Sequence, residues 1–509
     1  MITPGIPQFV KKRFRHAPPR AAAMIEALRG LGYSDATALA DIIDNSIAAN
    51  ATSVALTFRW DGAESAISIL DNGEGMNAEM LDRAMRLGEI NPLAKRGAHD
   101  LGRFGLGLKT ASFSQCRRLT VASRRDGSVD CLRWDLDVIA ASTDDGWHLL
   151  EGPHRGSEAR LRPLDAMASG TLVLWENLDR IVTPGCTEQE FLDLIDRVQQ
   201  HLAMVFHRFL SGPSPRLRLT INGRSVSPWN PFMPHHPATW SSPVERIATN
   251  VGLIEVQCHV LPHKDRLDAR EHESMGGPEG WTSQQGFYVY RNERLLVAGG
   301  WLGLGRGRAW TKEESHRLAR IRLDIPNTAD MDWKIDIRKS TARPPLCVRE
   351  RLTRLADDTR ARARRVFAHR GQTVRTTVGG NSVVQAWVAE HFSGGVRYRI
   401  DSNHPAVTAV LENAGELEPD IRAMLRVIQE TIPVQRIWLD TAEGNETPRT
   451  AFAGEAPNEI RAVLAVMYRN LVIRRSLSPE QARLQLLHTD PFQQYPDLVA
   501  GLPDTPCPA

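Results

Sequence analysis

The stretch "DIIDNSIAAN", residues 41–50, decides how the rest of the chain is read. Leu39, Ile43 and Ile47 recur at helical spacing and predict an amphipathic helix that serves a core. Asp41, Asp44 and Asn45 nonetheless crowd into a single turn. Asp41 and Asn45 stand four residues apart, which sets a carboxylate beside a carboxamide on a face roughly opposite the apolar stripe. On its own this pattern describes an ordinary solvated helix face. Other segments have to give it a purpose.

The frame for those segments is set by size and composition. At 509 residues the chain is too long for one core, so two to four domains are expected. Apolar residues make up 42% and charged residues 24%, the mix of a globular protein. The 63 basic and 60 acidic residues nearly cancel, leaving +3, so no global field calls for nucleic acid and only local basic clusters remain as candidates. Six cysteines are scattered without CxxC spacing, which argues against a zinc cluster or a disulfide framework and fits a reducing cytoplasm. The start "MITPGIPQFVKKRFRHAPPR" has no apolar segment after its basic residues, so it is not read as a secretory signal. No run approaches eighteen apolar residues, and no membrane association is expected.

Outward from the first helix, "ATSVALTFRW" and "SAISIL" alternate around a "DGAES" turn and predict a β-hairpin. A polar stretch, "GEINPLAKRGAHD", reads as a loop. Strands are expected at "RLTVASRR", "VDCLRWDLD" and "GTLVLWENL", then a long helix from "EQEFLDLIDRVQQHL". "SGPSP" marks a boundary near 212, after which "RLRLTING", "IEVQCHVLP", "GFYVYRNERLLV", "ARIRLDIP" and "WKIDIRKS" suggest a second sheet. The division is an N-terminal arm at 1–19, a first domain at 20–212, a second at 213–348, an arginine-rich helix and linker at 349–374, and a small mixed C-terminal domain at 375–509. In the last of these, Ser478, Pro479 and Gln481 form a helix start, and His404 before Pro405 reads as a capped turn.

Two glycine-bearing stretches carry chemistry. "DNGEGM", residues 71–76, puts Asp71 at the end of a strand, an acceptor-only carboxylate, with Gly73 and Gly75 allowing close backbone approach. Such a carboxylate can take the exocyclic amine of adenine as donor, although Asp-Asn-Gly is also a common turn. "LGRFGLGLKTASFSQC", residues 101–116, places Gly102, Gly105 and Gly107 before a helix that carries Lys109 and Thr110 near its start, an arrangement suited to phosphate. It is not a P-loop, because Leu108 separates Gly107 from Lys109. A dinucleotide fingerprint fails too, since no GxGxxG opens a helix after a strand.

The order of these pieces resembles the GHKL superfamily of ATPases, the group of gyrase, Hsp90, histidine kinases and MutL. A helix with D-x-x-x-N, a strand ending in D-x-G-x-G, a polar loop, a G-x-G-L-K turn and a strand beginning with Gly170 and Thr171 follow one another over about residues 20–210. The resemblance implies an α+β protein whose first domain is a helix-and-sheet sandwich of the Bergerat type. It implies Asn45 on Mg²⁺, Asp71 on the adenine amine with Thr171 in support, and Gly73, Gly75 and Met76 shaping the base pocket. Gly105, Leu106, Gly107, Leu108 and Lys109 would close on the ATP phosphates, under a lid at 86–104. The general base usual in the family is a Glu four residues before the Mg²⁺-binding Asn; here it is Asp41, one methylene shorter, so slow hydrolysis is expected.

The second domain resembles the α/β transducer (S5-like) domain of the GHL branch, most like bacterial MORC-like and MutL-like ATPases. There a lysine reaches the γ-phosphate, and Lys339 in "IDIRKS" is the candidate, with Lys334 the alternative. Histidine kinases are a poorer match, because only about 20 residues precede the motif helix. The resemblance further implies an ATP-dependent homodimer working as a clamp on DNA or with a nuclease or phage-defence partner. Other readings are an ATP-gated scaffold without hydrolysis and an Hsp90-like chaperone. No nuclease motif is legible in the last 130 or so residues.

Overall fold

The computed structural model describes residues 19–88, 107–144, 146–250, 252–329, 332–336, 339–368, 384, 386–392, 395–434, 437, 458–489, 492 and 495–504. They divide into two compact units, Met1–Gly371 and Gln372–Ala509. Among the described residues no helix is long and apolar enough to cross a membrane.

The first unit opens with helices α1 (Ala21–Arg29) and α2 (Asp35–Ala48). Ser34 starts α2 through a reciprocal cap: its hydroxyl accepts from the Thr37 N–H, and the Thr37 side chain accepts from the Ser34 N–H. That cap sets the phase of the helix, so Leu39 and Ile43 are fully buried. The hairpin follows as β1 (Ser53–Arg59) and β2 (Ala66–Asp71), then α3 (Ala78–Met85), α4 (Gly107–Phe113), β3 (Arg118–Arg125), β4 (Ser128–Asp135), β5 (Leu150–Glu151) and β6 (Gly170–Glu176). Beyond the long helix Glu188–Val205 come β7 (Arg218–Ile221) and β8 (Arg224–Ser225), completing a sheet ordered β5-β4-β3-β6-β2-β1-β7-β8.

One face of this sheet takes the helices. Ile67 and Ile69 of β2, Val121 of β3 and Val173 and Trp175 of β6 join Leu39, Ile43, Phe113, Phe191 and Val198 in a single core. Side chains alternate along a strand, so Asp71, Ser123 and Thr171, each two residues along from a core residue of its strand, fall on the same helix-facing side. Ala66, Leu70, Leu172 and Leu174 turn to the other side and pack there with Leu161. The helix-and-sheet sandwich expected for the first domain is therefore present, with a polar row at the end of its apolar surface.

The division near 212 needs correction. "RLRLT" does not begin the second sheet: β7 runs parallel to β1, and Leu219 and Ile221 are buried in the first core. Alternation marks a strand but does not say which sheet takes it, and "SGPSP" is an exposed turn within the first layer. The second sheet comprises β9 (Trp240–Ser241), β10 (Glu245–Thr249), β11 (Gly252–Val260), β12 (Gly286–Arg291), β13 (Arg294–Ala298) and β14 (Ala319–Ile325), in the order β10-β11-β14-β12-β13 with β9 on β11.

The arginine-rich helix is a wall of this second core, and the linker expected after it lies outside the described residues. Helix Leu346–Ala368 lays Val348, Leu352, Ala356 and Ala363 against Val256, Ile321, Leu323 and Trp333. Several of its arginines are committed locally: Arg351 pairs with Glu245 at 2.6 Å, and the Arg362 guanidinium lies 4.0 Å over the Trp240 ring.

The second unit combines a hairpin, Trp387–Phe392 with Gly395–Ile400, and helices packed around Leu464, Met467, Tyr468, Leu486 and Phe492. Ser478 and Gln481 form the reciprocal cap their spacing predicts, with Pro479 in the first turn. His404 caps helix Pro405–Asn413, its Nδ1 accepting from the Ala406 N–H at 3.3 Å.

Candidate active site

Helix α2 does not have the solvated face its pattern suggests. Asp41 is 5% exposed and Asp44 1%, while Asn45 is exposed at the edge of the helix. Two groups of side chains gather along this helix, one at each end of the "DNS" triplet.

The first group surrounds Asp71. One carboxylate oxygen accepts from the Ser46 hydroxyl at 2.8 Å, and the other from the Gly73 N–H at 2.9 Å and the Thr171 N–H at 3.2 Å. Asp71 and Thr171 are cross-strand partners, and so are Thr171 and Ser123, so sheet register alone lines up the three. The hydroxyls of Ser123 and Thr171 meet at 2.9 Å, and Ser123 Oγ also accepts from the Met76 N–H at 2.8 Å. Burial raises the Asp71 pKa, and the three donors pull against that rise without cancelling it. The glycines here are forced by close backbone contact. A Cβ on Gly75, where φ is +68°, would lie 2.0 Å from the Arg124 carbonyl oxygen, and one on Gly73 would lie 2.8 Å from that of Ala49.

The second group surrounds Asp41 and Asp44. The Tyr33 hydroxyl donates to Asp41 Oδ2 at 2.9 Å, and Lys339 Nζ donates to Asp41 Oδ1 at 3.0 Å and to Asp44 Oδ2 at 2.5 Å. Arg294 Nε lies 3.2 Å from both oxygens of Asp44, and its Nη2 is 3.8 Å from Asp41. Burial by itself would raise the Asp44 pKa; Arg294 and Lys339 outweigh it and hold the carboxyl below the usual range. The Tyr33 hydroxyl is pushed far up, by burial first and by the Asp41 charge second. Lys339 arrives on a turn built by Asp336, whose carboxylate accepts from the Ser340 N–H at 2.7 Å and the Thr341 N–H at 2.8 Å. Lys334, the alternative, is exposed on the preceding turn. Two carboxylates and two cations thus meet in a nearly enclosed space, and both cations come from the second sheet's domain.

The remaining sequence candidates are placed as follows. Gly105 and Leu106, most of the lid segment (89–104) and the arm up to residue 18 lie outside the described residues. Gly107 opens α4 where a Cβ would be 3.9 Å from Asp41 Oδ2. Leu108 is half-buried, and its carbonyl accepts from the Ser112 hydroxyl at 2.6 Å. Lys109 is 3% exposed and donates to the Ala84 carbonyl at 2.7 Å, at the end of α3. Its burial lowers its pKa to about 8.

Sequence reasoning missed Tyr33, Ser46, Ser123 and Arg294 and left Asp44 without a role. Ser123 carries a signal in retrospect, a hydroxyl residue two along from Val121 in its strand and cross-strand partner of Thr171, whereas Ser46 is a helix residue that reaches Asp71 through its hydroxyl. Arg294 carries none, since it lies 250 residues from its partner.

Set beside known proteins, residues 33–171 match the family described as histidine kinase-, DNA gyrase B- and HSP90-like ATPase. Over these residues, about a quarter of its length, the chain is similar to that ATPase family. The protein named ATPase morc-1 of Caenorhabditis elegans is 28% identical over 238 residues, an alignment that covers 38% of this chain and 27% of that one. The chain thus spans about a quarter of the length of that relative.

Proposed function

We propose that the protein binds ATP with Mg²⁺ and hydrolyses it slowly, using the nucleotide to switch the relation between its first and second sheets. The observation that carries this reading is the reach of Lys339, from the second sheet's domain, to the aspartate at the base position of α2.

Asp71 has the chemistry for an adenine amine: its oxygens keep acceptor capacity beyond the Ser46, Gly73 and Thr171 donors, and its backbone surroundings admit a close ligand. Asn45 fits the metal. Mg²⁺ characteristically takes one or two protein oxygens and otherwise phosphate and water, and an exposed carboxamide beside two carboxylates offers such an oxygen. When bound, the ion neutralises phosphate charge and orients the phosphates for attack. Asp41 holds the proton of the attacking water, with Tyr33 fixing one oxygen of its carboxylate. Lys339 supplies a point charge to the terminal phosphate. Exchange of Lys339 between α2 and the nucleotide is what couples the two domains. The switch acts as a clamp in an ATP-dependent dimer, on DNA or with a DNA-processing partner, with the exposed Arg364 and Arg365 of the second domain's helix offered to phosphates.

Single-turnover and steady-state ATPase assays on wild type, Asp41→Ala and Asn45→Ala test this. Turnover should fall at least about 10²-fold in Asp41→Ala with ATP binding kept, because a lost general base typically costs about 10²–10⁴. Asn45→Ala should lose Mg²⁺-dependent binding. Unchanged turnover in Asp41→Ala would remove that residue from the mechanism. Tight ATP binding with no turnover in wild type supports the second reading, a nucleotide-gated scaffold, which the shortened base and its tie to Lys339 favour.

A further inference from the structure

The cluster on α2 balances two buried carboxylates with two cations, and one of those cations is the lysine that the proposed reaction sends to the nucleotide. We infer that Arg294 is a positioning residue that keeps Asp44 paired while Lys339 moves to the terminal phosphate, so that the lysine can be exchanged and Asp41 is released as base in the same step. This rests on the ATPase reading above.

The two cations are held very differently. Arg294 stands directly after the turn that joins β12 to β13, where Asn292 and Glu293 both have positive φ, +46° and +67°. Such a two-residue turn fixes strand register, and with it where the next side chain starts. The guanidinium is then fastened at several points: Nε on both Asp44 oxygens at 3.2 Å, Nη1 on the Leu295 carbonyl at 2.5 Å, and the Phe206 ring centroid 5.7 Å away. Its side chain is 5% exposed. Lys339 instead carries a single ammonium on a flexible stem from a turn, and its side chain is 11% exposed.

Removal of Lys339 therefore affects the two aspartates unequally. Asp44 retains the Arg294 Nε on both its oxygens and stays compensated. Asp41 loses its nearest cation, 3.0 Å away, and keeps the Tyr33 hydroxyl and the longer Arg294 approach of 3.8 Å. A carboxylate freed of its cation is the better proton acceptor. Without Arg294, a departing Lys339 would strand Asp44 as an unpaired buried charge, and the lysine would stay. Asp44 is thus the docking anion, Arg294 its permanent partner and Lys339 its exchangeable one.

The test uses the full chain and compares wild type with Arg294→Met, Arg294→Lys and the double variant Arg294→Met/Asp44→Asn, measuring kcat, KM, ATP affinity and thermal unfolding. Arg294→Met should lose about 10²-fold in kcat and in ATP affinity, the size expected when an exchange leaves a buried charge unpaired. The double variant has nothing to strand, so it should recover to within about 5-fold of wild type, and Arg294→Lys should fall between. A pin that merely holds the fold predicts the reverse, with the double variant no better than the single. That result, or wild-type turnover and affinity in Arg294→Met, overturns the inference. If Arg294→Met does not fold, Arg294→Lys decides, because it keeps a cation and should keep turnover within about 10-fold; a complete loss with the fold intact sinks the idea. Wild type that neither binds nor hydrolyses ATP refutes the ATPase reading and this inference with it, whereas active wild type without rescue refutes this inference alone.

Discussion

The two ends of the site on α2 are built from different distances along the chain. Asp71 is completed by Ser46, 25 residues away, and Thr171, 100 residues away, all within one sheet and the helix on it. Asp41 and Asp44 take their cations from 250 to 298 residues away, in another sheet's domain. A pocket made by sheet register exists whenever the sheet exists. A cluster made across domains exists only while the domains hold one relation, so the first end suits constant recognition and the second a step that must be conditional.

The comparison breaks most visibly at Asp44. Asp44→Ala should destabilise the first unit by about 3–5 kcal/mol, because it leaves Arg294 buried without its carboxylate. Thermal unfolding measures it, and a loss below about 1 kcal/mol would mean that water reaches the cluster and the domains are only loosely joined there. The pH dependence carries the same information. Asp44's pKa in the folded protein is below its unfolded value of about 3.9, so its contribution is complete above that value and is lost as pH falls through the folded one. Wild type should therefore lose more stability than Asp44→Asn on acidification below pH 4.

Asp71 should respond in the opposite way. Its folded pKa is raised, so its charge weighs against folding at neutral pH and stability gains as pH falls through the folded value. Asp71→Asn should keep the fold to within about 1 kcal/mol while ATP affinity drops about 10²-fold, the cost of losing a charged acceptor for the base. A variant that keeps its affinity would move base recognition away from β2.

The same contrast governs what could be read beforehand. The strand ending at Asp71 and the Gly73 and Gly75 turn are legible because period-two alternation and glycine spacing are local signals, whereas Thr171 as a partner of Asp71 comes only from the family resemblance. Ser478 and His404 are legible as caps for the same reason. The sheet that takes β7 is not legible, because alternation says nothing of the neighbour and its parallel pairing with β1 joins residues more than 160 apart. Asp41 looked solvated because a helical wheel shows only a helix's own periodicity. The cations that meet it there are Lys339 and Arg294, which no window around residue 41 contains. Lys339 was reachable only through likeness to a family, and Arg294 through neither route.

The smallest expected effect lies between the two ends. Lys109 belongs to the first domain by sequence, yet its ammonium rests on the Ala84 carbonyl and titrates at about 8 because burial disfavours its charge. Only the protonated form can bind a phosphate as a point charge, and about half of it is gone at pH 8. If Lys109 swings to the nucleotide, ATP affinity should weaken by up to about tenfold, the factor by which the protonated fraction falls, between pH 7 and pH 9, and Lys109→Met should flatten that profile. If it remains on Ala84 throughout, the profile of the variant will follow that of wild type and its loss will appear in thermal unfolding instead. The first result joins Lys109 to the conditional half of the site. The second makes it a strut between α3 and α4, and leaves the terminal phosphate to Lys339.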